Sequence, residues 1–229
     1  MATDFFRFPH TPHLVWLGEG FPRDDKIMSS KEVGAMLKGD VLVEEKLDGA
    51  NLGLSFTSDG RLLVQNRGQY LNYPFNGQFS KLRQWLDSHE SLLSAYIDST
   101  SIVFGEWCAA RHSIGYEKLP DWYLMFDVYD REACKFWSAS RRNKLADELG
   151  LKVVPQISKG KFSLDAIKSL VLKTKSEYSN ELVEGVVVRN DSELWCESRA
   201  KLVRPDFTQS IEEHWRNRMI EWNHRTLEL

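Results

Sequence analysis

The residues best equipped for chemistry stand together in Val43-Glu44-Glu45-Lys46-Leu47-Asp48-Gly49-Ala50-Asn51. A buried-looking strand ends on a lysine, Asp-Gly turns the chain, and a second strand begins. This presents an amine at the end of a strand, where pockets tend to form. A lysine in a partly dry site among cations loses proton affinity and becomes a nucleophile. A plain lysine in an Asp-Gly turn carries the same letters, so context must decide between the two.

The elements that would position this lysine are legible as patterns. Ser29-Ser30-Lys31-Glu32 predicts a helix start, running through Met36-Leu37 to Gly39. Val41-Leu42-Val43 is a strand core. Leu52–Phe56 and Arg61–Gln65 flank Ser58-Asp59-Gly60, a hairpin signal. Leu82, Trp85, Leu86, His89, Leu92, Leu93 and Tyr96 recur at helical spacing, which predicts a helix over 79–97. Ile102–Phe104 and Trp122–Tyr129 read as strands. Ser138 caps a helix to Leu149, stopped by Gly150, and Ser163 caps another to about Thr174. Val183–Val188 and Arg199–Val203 are strands. Ser210 with Glu213 makes a capping box for a final helix to about Leu227. Strands and helices mix without regular alternation. That predicts an α+β domain on antiparallel sheet and not a doubly wound parallel one.

Composition narrows the classes. A chain of 229 residues, 42% hydrophobic and 28% charged, suffices for one cored domain. A formal net charge of −3 argues against coating duplex nucleic acid through a global field, although it permits local basic contacts. Cys108, Cys134 and Cys196 form neither a CxxC pair nor a disulfide framework, so a reducing, cytoplasmic setting is expected. The first residues lack the basic-then-apolar pattern of a signal peptide, and no apolar run nears a membrane span. The six histidines show no metal-ligand spacing; His112, just after the Glu106 block, is expected to be structural.

Lys46-Leu47-Asp48-Gly49 resembles the first motif, Lys-x-Asp-Gly, of the covalent nucleotidyltransferases: RNA ligases, DNA ligases and capping guanylyltransferases. Five further blocks follow in that family's order, and the resemblance spans about Phe8 to Phe207. Asn51 is similar to the RNA ligases typified by the second RNA ligase of bacteriophage T4. The resemblance implies a single minimal nucleotidyltransferase domain over 1–229, ATP-grasp-like, with antiparallel sheets flanked by helices and residues 208–229 as a C-terminal helix. Only 25 residues follow Arg204, too few for the OB-fold of DNA ligases and capping enzymes.

The implied chemistry is ATP-dependent sealing of RNA 5′-phosphate and 3′-hydroxyl ends through Lys46-AMP, with Mg²⁺ or Mn²⁺. A monomer is expected, without a membrane role, and a partner protein could supply the missing module. Residue by residue, the resemblance gives Arg67 of Asn66-Arg67-Gly68 a phosphate contact, which suits a guanidinium fork. Glu106 of Phe104-Gly105-Glu106 accepts from the ribose hydroxyls. Phe126 stacks on the purine, unless it is an ordinary core Phe; Asp127 beside it receives no role. Glu45 accepts from the purine amine, while Glu44 is expected at the surface. Glu184 of Glu184-Gly185 lies near phosphates and metal, and Lys201 contacts the α-phosphate. The family's second lysine falls on Val203, and either Arg204 or Arg199 takes its place. Strand alternation sets Arg199 on the face of Lys201 and Arg204 on the opposite one. Arg23 and Lys26 resemble substrate contacts, or form a solvated turn. The cations around Lys46 are expected to lower its pKa. The alternatives within the family are a DNA ligase or a GTP-using capping enzyme. Outside catalysis, the alternative is an RNA-binding protein on the same fold, which the presence of Lys46, Glu106, Glu184 and Lys201 disfavours.

Overall fold

The computed structural model describes residues 4–20, 22, 25–210 and 219–226. The strands are β1 (Val41–Lys46), β2 (Ala50–Phe56), β3 (Leu62–Gln65), β4 (Ser101–Trp107), β5 (Tyr123–Asp130), β6 (Lys135–Phe136), β7 (Lys152–Val153), β8 (Gln156–Gly160), β9 (Gly185–Asp191) and β10 (Cys196–Val203). The helices are α1 (Ser30–Met36), α2 (Leu82–Tyr96), α3 (Ala139–Leu149), α4 (Leu164–Lys173) and α5 (Pro205–Ser210). None of the described helices is long and apolar enough to cross a membrane.

The predicted caps are present. Ser29 accepts from the Glu32 amide while the Glu32 carboxylate accepts from the Ser29 amide at 2.7 Å, a closed capping box. Ser138 and Ser163 cap α3 and α4, and Gly150 ends α3 in the left-handed region. α2 begins at Leu82, later than its apolar spacing suggests, because Gly77–Phe79 first forms a 3₁₀ turn.

Two sheets result, as the α+β expectation required. One has the order β10-β9-β1-β8 and is wholly antiparallel. The other has the order β3-β2-β4-β5-β6, with β7 added in parallel beside β5. Helices cover one face of each. Met36, Ile167 and Val171 pack on Val41, Val43, Val186, Val188 and Leu202 of the first sheet. Trp85, Leu86, Leu93, Leu145 and Leu149 pack on Leu52, Leu54, Val103, Trp107 and Val128 of the second. Alternation along β4 then turns Ile102, Phe104 and Glu106 away from the α2 side. Side chains of both sheets meet across a cleft.

The cleft is braced by charge as well as by apolar packing. Glu44 is buried at 2% exposure, not at the surface as its sequence suggested. Its Oε1 accepts from Arg142 Nη2 at 2.6 Å, and Arg142 also donates to the Phe126 carbonyl at 2.7 Å. α3 is thereby tied to β1 in one sheet and β5 in the other.

The C-terminal segment departs from the predicted helix. α5 already starts at Pro205, a residue suited to a first helical turn. Residues 211–218, including Glu213, lie outside the described residues. Residues 219–226 are extended, and Trp222 bridges Ala110. The irregular stretch 109–119 has backbone groups that need partners, and an extended chain supplies them where a helix cannot. Arg111 N–H donates to the Glu221 carbonyl (2.8 Å), Asn223 N–H to Ala109 (2.9 Å) and Thr226 N–H to Leu119 (2.8 Å).

Removing Arg142 takes from buried Glu44 its 2.6 Å partner and leaves only Arg189 Nε at 3.9 Å. Arg142→Ala is expected to lower the unfolding free energy by about 3–5 kcal/mol, read as a reduced urea midpoint.

Candidate active site

Lys46 stands where the chain leaves one sheet for the other. β1 ends on it, Leu47-Asp48-Gly49 cross, and β2 begins at Ala50. The crossing is held at every residue. Leu47 is 3% exposed and packs with Cys108, Ile114, Tyr116, Leu119 and Phe207. Asp48 Oδ2 accepts from the amides of Ser113 (2.7 Å) and Ile114 (2.9 Å), and its own amide donates to the Tyr116 hydroxyl at 2.8 Å. Gly49 N–H donates to Glu106 Oε1 at 3.1 Å, and a Cβ there would lie 2.7 Å from the Trp107 carbonyl. The motif therefore needs glycine for close approach and aspartate as a clamp.

Lys46 Nζ lies 2.5 Å from Glu184 Oε1. Strand pairing explains this: Lys46 faces Gly185 on β9, and Glu184 precedes it. A Cβ on Gly185 would meet the Leu202 carbonyl at 2.3 Å, so this glycine lets β9 and β10 close beside the lysine. Asn51 on β2 is paired with Glu106 on β4, which sets both on one face. Phe126 is the extra residue of a bulge, since Phe104 pairs with Asp127 and Gly105 with Met125. The bulge re-aims its ring, which meets Phe8 edge-on at 5.4 Å.

Glu45, Lys46, Asn51, Arg67, Glu106, Phe126, Arg199 and Lys201 thus line one cavity of about 330 Å³. Sequence reasoning missed Phe8, Thr11, Glu44, Asp127 and Arg189, which line it as well. Asp127 accepts from Arg189 (2.7 Å) on one oxygen and from Arg199 (2.6 Å) on the other. These arginines face each other across β9 and β10, so the shared carboxylate offsets a repulsion. An Arg directly after the apolar run Val186-Val187-Val188 was a readable signal.

Arg204 is elsewhere. It pairs with Asp206 at 3.1 Å and lines a neighbouring cavity of about 770 Å³ with Gln78, Arg111 and His112. Alternation along β10 leaves the position beside Lys201 to Arg199. His112 bonds Gln78 at 2.7 Å. Lys26 pairs with Glu32 at 2.7 Å, and Arg23 lies outside the described residues.

Electrostatically the nearest neighbours of Lys46 are anions. Burial pulls its pKa down, but Glu184, Glu106 and Asp48 outweigh burial and raise it above the usual lysine value. This reverses the expectation of a lowered pKa, because Lys201 is itself tied to Asp25 of the N-terminal arm. Burial, with the charge of Lys46, lowers the Lys201 pKa against the opposing pull of Asp25. Burial and mutual repulsion push Glu106 up to about 8 and Glu184 up to about 7. Several buried polar atoms among the described residues find no hydrogen-bond partner, and Glu45 Oε1, Asn51 Oδ1, Arg67 Nε and Glu184 Oε2 are among them. The first three belong to residues that line this cavity and the fourth to the ion-pair partner of Lys46; three acceptors and one donor suit a polar ligand that brings donor groups of its own. The second oxygen of Glu45 accepts from the Glu177 amide at 3.0 Å.

A family model described as RNA ligase matches residues 39–203. No protein of curated function matches the sequence. An apo mutant of Naegleria gruberi RNA ligase superposes with a TM-score of 0.63 at 17% identity, covering 91% of this chain and 64% of that one. Another mutant of that enzyme, with ATP and Mn, gives 0.62 at 18% identity over the same shares. An archaeal ATP-dependent RNA ligase gives 0.56 at 20% identity, covering 86% of this chain and 48% of that one. The chain therefore spans less than two thirds of the length of these enzymes. At such identities the likeness establishes the fold, that of the nucleotidyltransferase unit of RNA ligases.

Glu106 and Glu184 stay protonated in the folded protein over a pH range in which the unfolded chain, with ordinary values near 4.5, has lost those protons. Their contribution to stability is complete below about 4.5 and is lost as the pH rises through about 7 and then about 8. The urea midpoint should therefore fall between about pH 5 and about pH 9, and Glu106→Gln should flatten that fall.

Proposed function

The chain belongs to the RNA ligase family, and from that premise we propose that it uses ATP to join RNA 5′-phosphate and 3′-hydroxyl ends through a covalent Lys46-AMP intermediate. The observation that carries this reading is the amine of Lys46 at the mouth of a cavity lined by Glu45, Asn51, Arg67, Glu106, Phe126 and Lys201. Each suits a different part of a nucleotide. Phe126, beside Phe8, offers an aromatic face to the purine. Glu106 offers a carboxylate to the ribose hydroxyls. Arg67 and Lys201 offer cations to the phosphates, and Arg199 lines the same cavity as a further cation.

In the first step Lys46 Nζ attacks the α-phosphorus of ATP. An N–P bond forms, the bond to the β-phosphate oxygen breaks, and pyrophosphate leaves. The ammonium gives up one proton before attack and the nitrogen loses a second as the N–P bond forms; the ionised form of Glu184, 2.5 Å away, is the nearest acceptor for the first, and the second passes to solvent. In the second step a 5′-phosphate oxygen of the RNA attacks the same phosphorus, and Lys46 is released. In the third a 3′-hydroxyl attacks the activated 5′-phosphorus and AMP leaves. Charge grows on phosphate oxygens throughout, so fixed cations and positioning supply most of the catalysis. Before any of this Lys201 must exchange Asp25 for phosphate, which its lowered proton affinity does not prevent.

A divalent ion fits the same site. Among the described residues no group of three or more His, Cys, Asp or Glu forms a cage of its own. Mg²⁺ or Mn²⁺ needs only one or two carboxylates when phosphate oxygens and water complete its shell. Glu184, with a buried unpaired Oε2, would hold it, and bound there it supplies positive charge to the phosphates. The three free cysteines accord with an intracellular setting for this activity.

Incubation with [α-³²P]ATP is expected to label the wild-type chain covalently, with GTP giving less label. Lys46→Ala should carry none; label persisting on that variant would refute the assignment. Lys201→Ala should keep the fold and slow labelling about 10²-fold. Sealing of nicked duplexes, compared with single-stranded RNA ends, then identifies the preferred substrate.

A further inference from the structure

The C-terminal strand-like segment reaches the nucleophile through a short chain of contacts, and Asn223 is its first link. Asn223 is 3% exposed although its side chain is polar. Its Nδ2 donates to the carbonyls of Cys108 (2.8 Å) and Ala110 (3.3 Å). Its Oδ1 accepts from the Tyr116 amide at 2.9 Å. One amide side chain therefore ties together the two ends of the loop 108–116, which has no regular structure of its own. The flanking backbone adds support, with His224 N–H donating to the Tyr116 carbonyl (2.9 Å) and Leu119 N–H to the His224 carbonyl (3.0 Å).

The closed loop is what holds the two residues after Lys46. Its tip amides at Ser113 and Ile114 grip the Asp48 carboxylate, and the Tyr116 hydroxyl takes the Asp48 amide. Ile114 and Tyr116 also pack around Leu47. The cavity beside Lys46 is lined from β1, β2, β4, β5, β9 and β10 together with Phe8, Thr11, Arg67, Val154 and the crossing residues Leu47 and Gly49. No residue of the loop is among them. The loop reaches the cavity through the Lys46 crossing and through its own junction with β4, which carries Glu106.

We propose that Asn223 is a positioning residue for Lys46: by closing the 108–116 loop it fixes Leu47 and Asp48, and through them the direction from which the amine reaches the α-phosphorus. This rests on Lys46 being the nucleophile. Because the loop supplies no side chain of its own to the cavity wall, and Leu47 is the one wall residue it packs against, loss of Asn223 acts on attack more than on nucleotide affinity. A displacement of about 1 Å in a reacting group can cost about 10²-fold in rate.

The test is single-turnover labelling by [α-³²P]ATP over a range of ATP concentrations, alongside thermal melting. Asn223→Ala is expected to leave half-saturation by ATP within about twofold of wild type and to lower the maximal labelling rate by about 10- to 100-fold. Tyr116→Phe removes only the acceptor for the Asp48 amide; it should slow labelling in the same way with little change in melting temperature. The double variant should be little slower than Asn223→Ala alone, since both act along one path. Wild-type rates in Tyr116→Phe, raised half-saturation at an unchanged maximal rate in Asn223→Ala, or losses that multiply in the double variant would each overturn the inference while leaving the lysyl-nucleotide reading intact. If Asn223→Ala fails to fold, Tyr116→Phe decides alone. A wild-type chain that takes no label overturns the proposed function, and this inference with it.

Discussion

Three residues, Leu47, Asp48 and Gly49, carry the chain from one sheet to the other, and the candidate site depends on that crossing being short and fixed. A strand ends where its ladder hydrogen bonds end, so the last side chain of β1 projects at the seam between two layers. The seam is where side chains of both sheets meet, and an amine placed there can face groups from six strands at once. A longer link would leave Lys46 on a mobile loop, with the entropy of that loop set against any precise attack. The packing of Leu47, the two amides on Asp48 and the close approach at Gly49 each remove part of that freedom.

The same seam concentrates charge. Three carboxylates, Glu184, Glu106 and Asp48, act on one ammonium, while two arginines share one aspartate a few residues away. Carboxylates crowded around one lysine cannot all ionise cheaply in a half-dry site, which is why protons are retained on Glu106 and Glu184. The excess of acceptors makes sense if cations or hydroxyls of a ligand are to complete the set. The buried, unpaired atoms of Asn51, Arg67, Glu45 and Glu184 have the same character. Polar groups are rarely left buried without partners, so the presence of three at the cavity and one on the partner of Lys46 is informative beyond the motif letters.

Much of this was legible in sequence. The helix caps at Ser29, Ser138 and Ser163 follow from local chemistry, and the structure has them. Strand alternation alone separated Arg199 from Arg204, and Arg199 is the one that lines the cavity with Lys201. What escaped were facts of long range. Glu44 looked like a surface residue because its counterion, Arg142, is 98 residues away. The aiming of Phe126 depends on a bulge set by the register of β4 against β5. The C-terminal helix was inferred from the capping box of Ser210 and Glu213. Yet Met219 is 94% exposed, while Trp222 pairs with Ala110 and receives Lys81 over its ring at 4.4 Å. The demand for backbone partners by residues 109–119 is invisible in any local window.

The N-terminal arm has an effect beyond the site. β10 is the outer strand of its sheet, a position that ordinarily offers free N–H and C=O groups as a template for a strand of another molecule. Here Lys201 N–H donates to the Pro12 carbonyl and the Lys201 carbonyl accepts from Leu14 N–H, while His13 bridges Lys201 and Ile27. The pairing that steadies the backbone behind a cavity lysine also occupies this stretch of open edge. Resistance to edge-to-edge aggregation and the shaping of the cleft are in this respect one structural feature, contributed by residues with little secondary structure of their own.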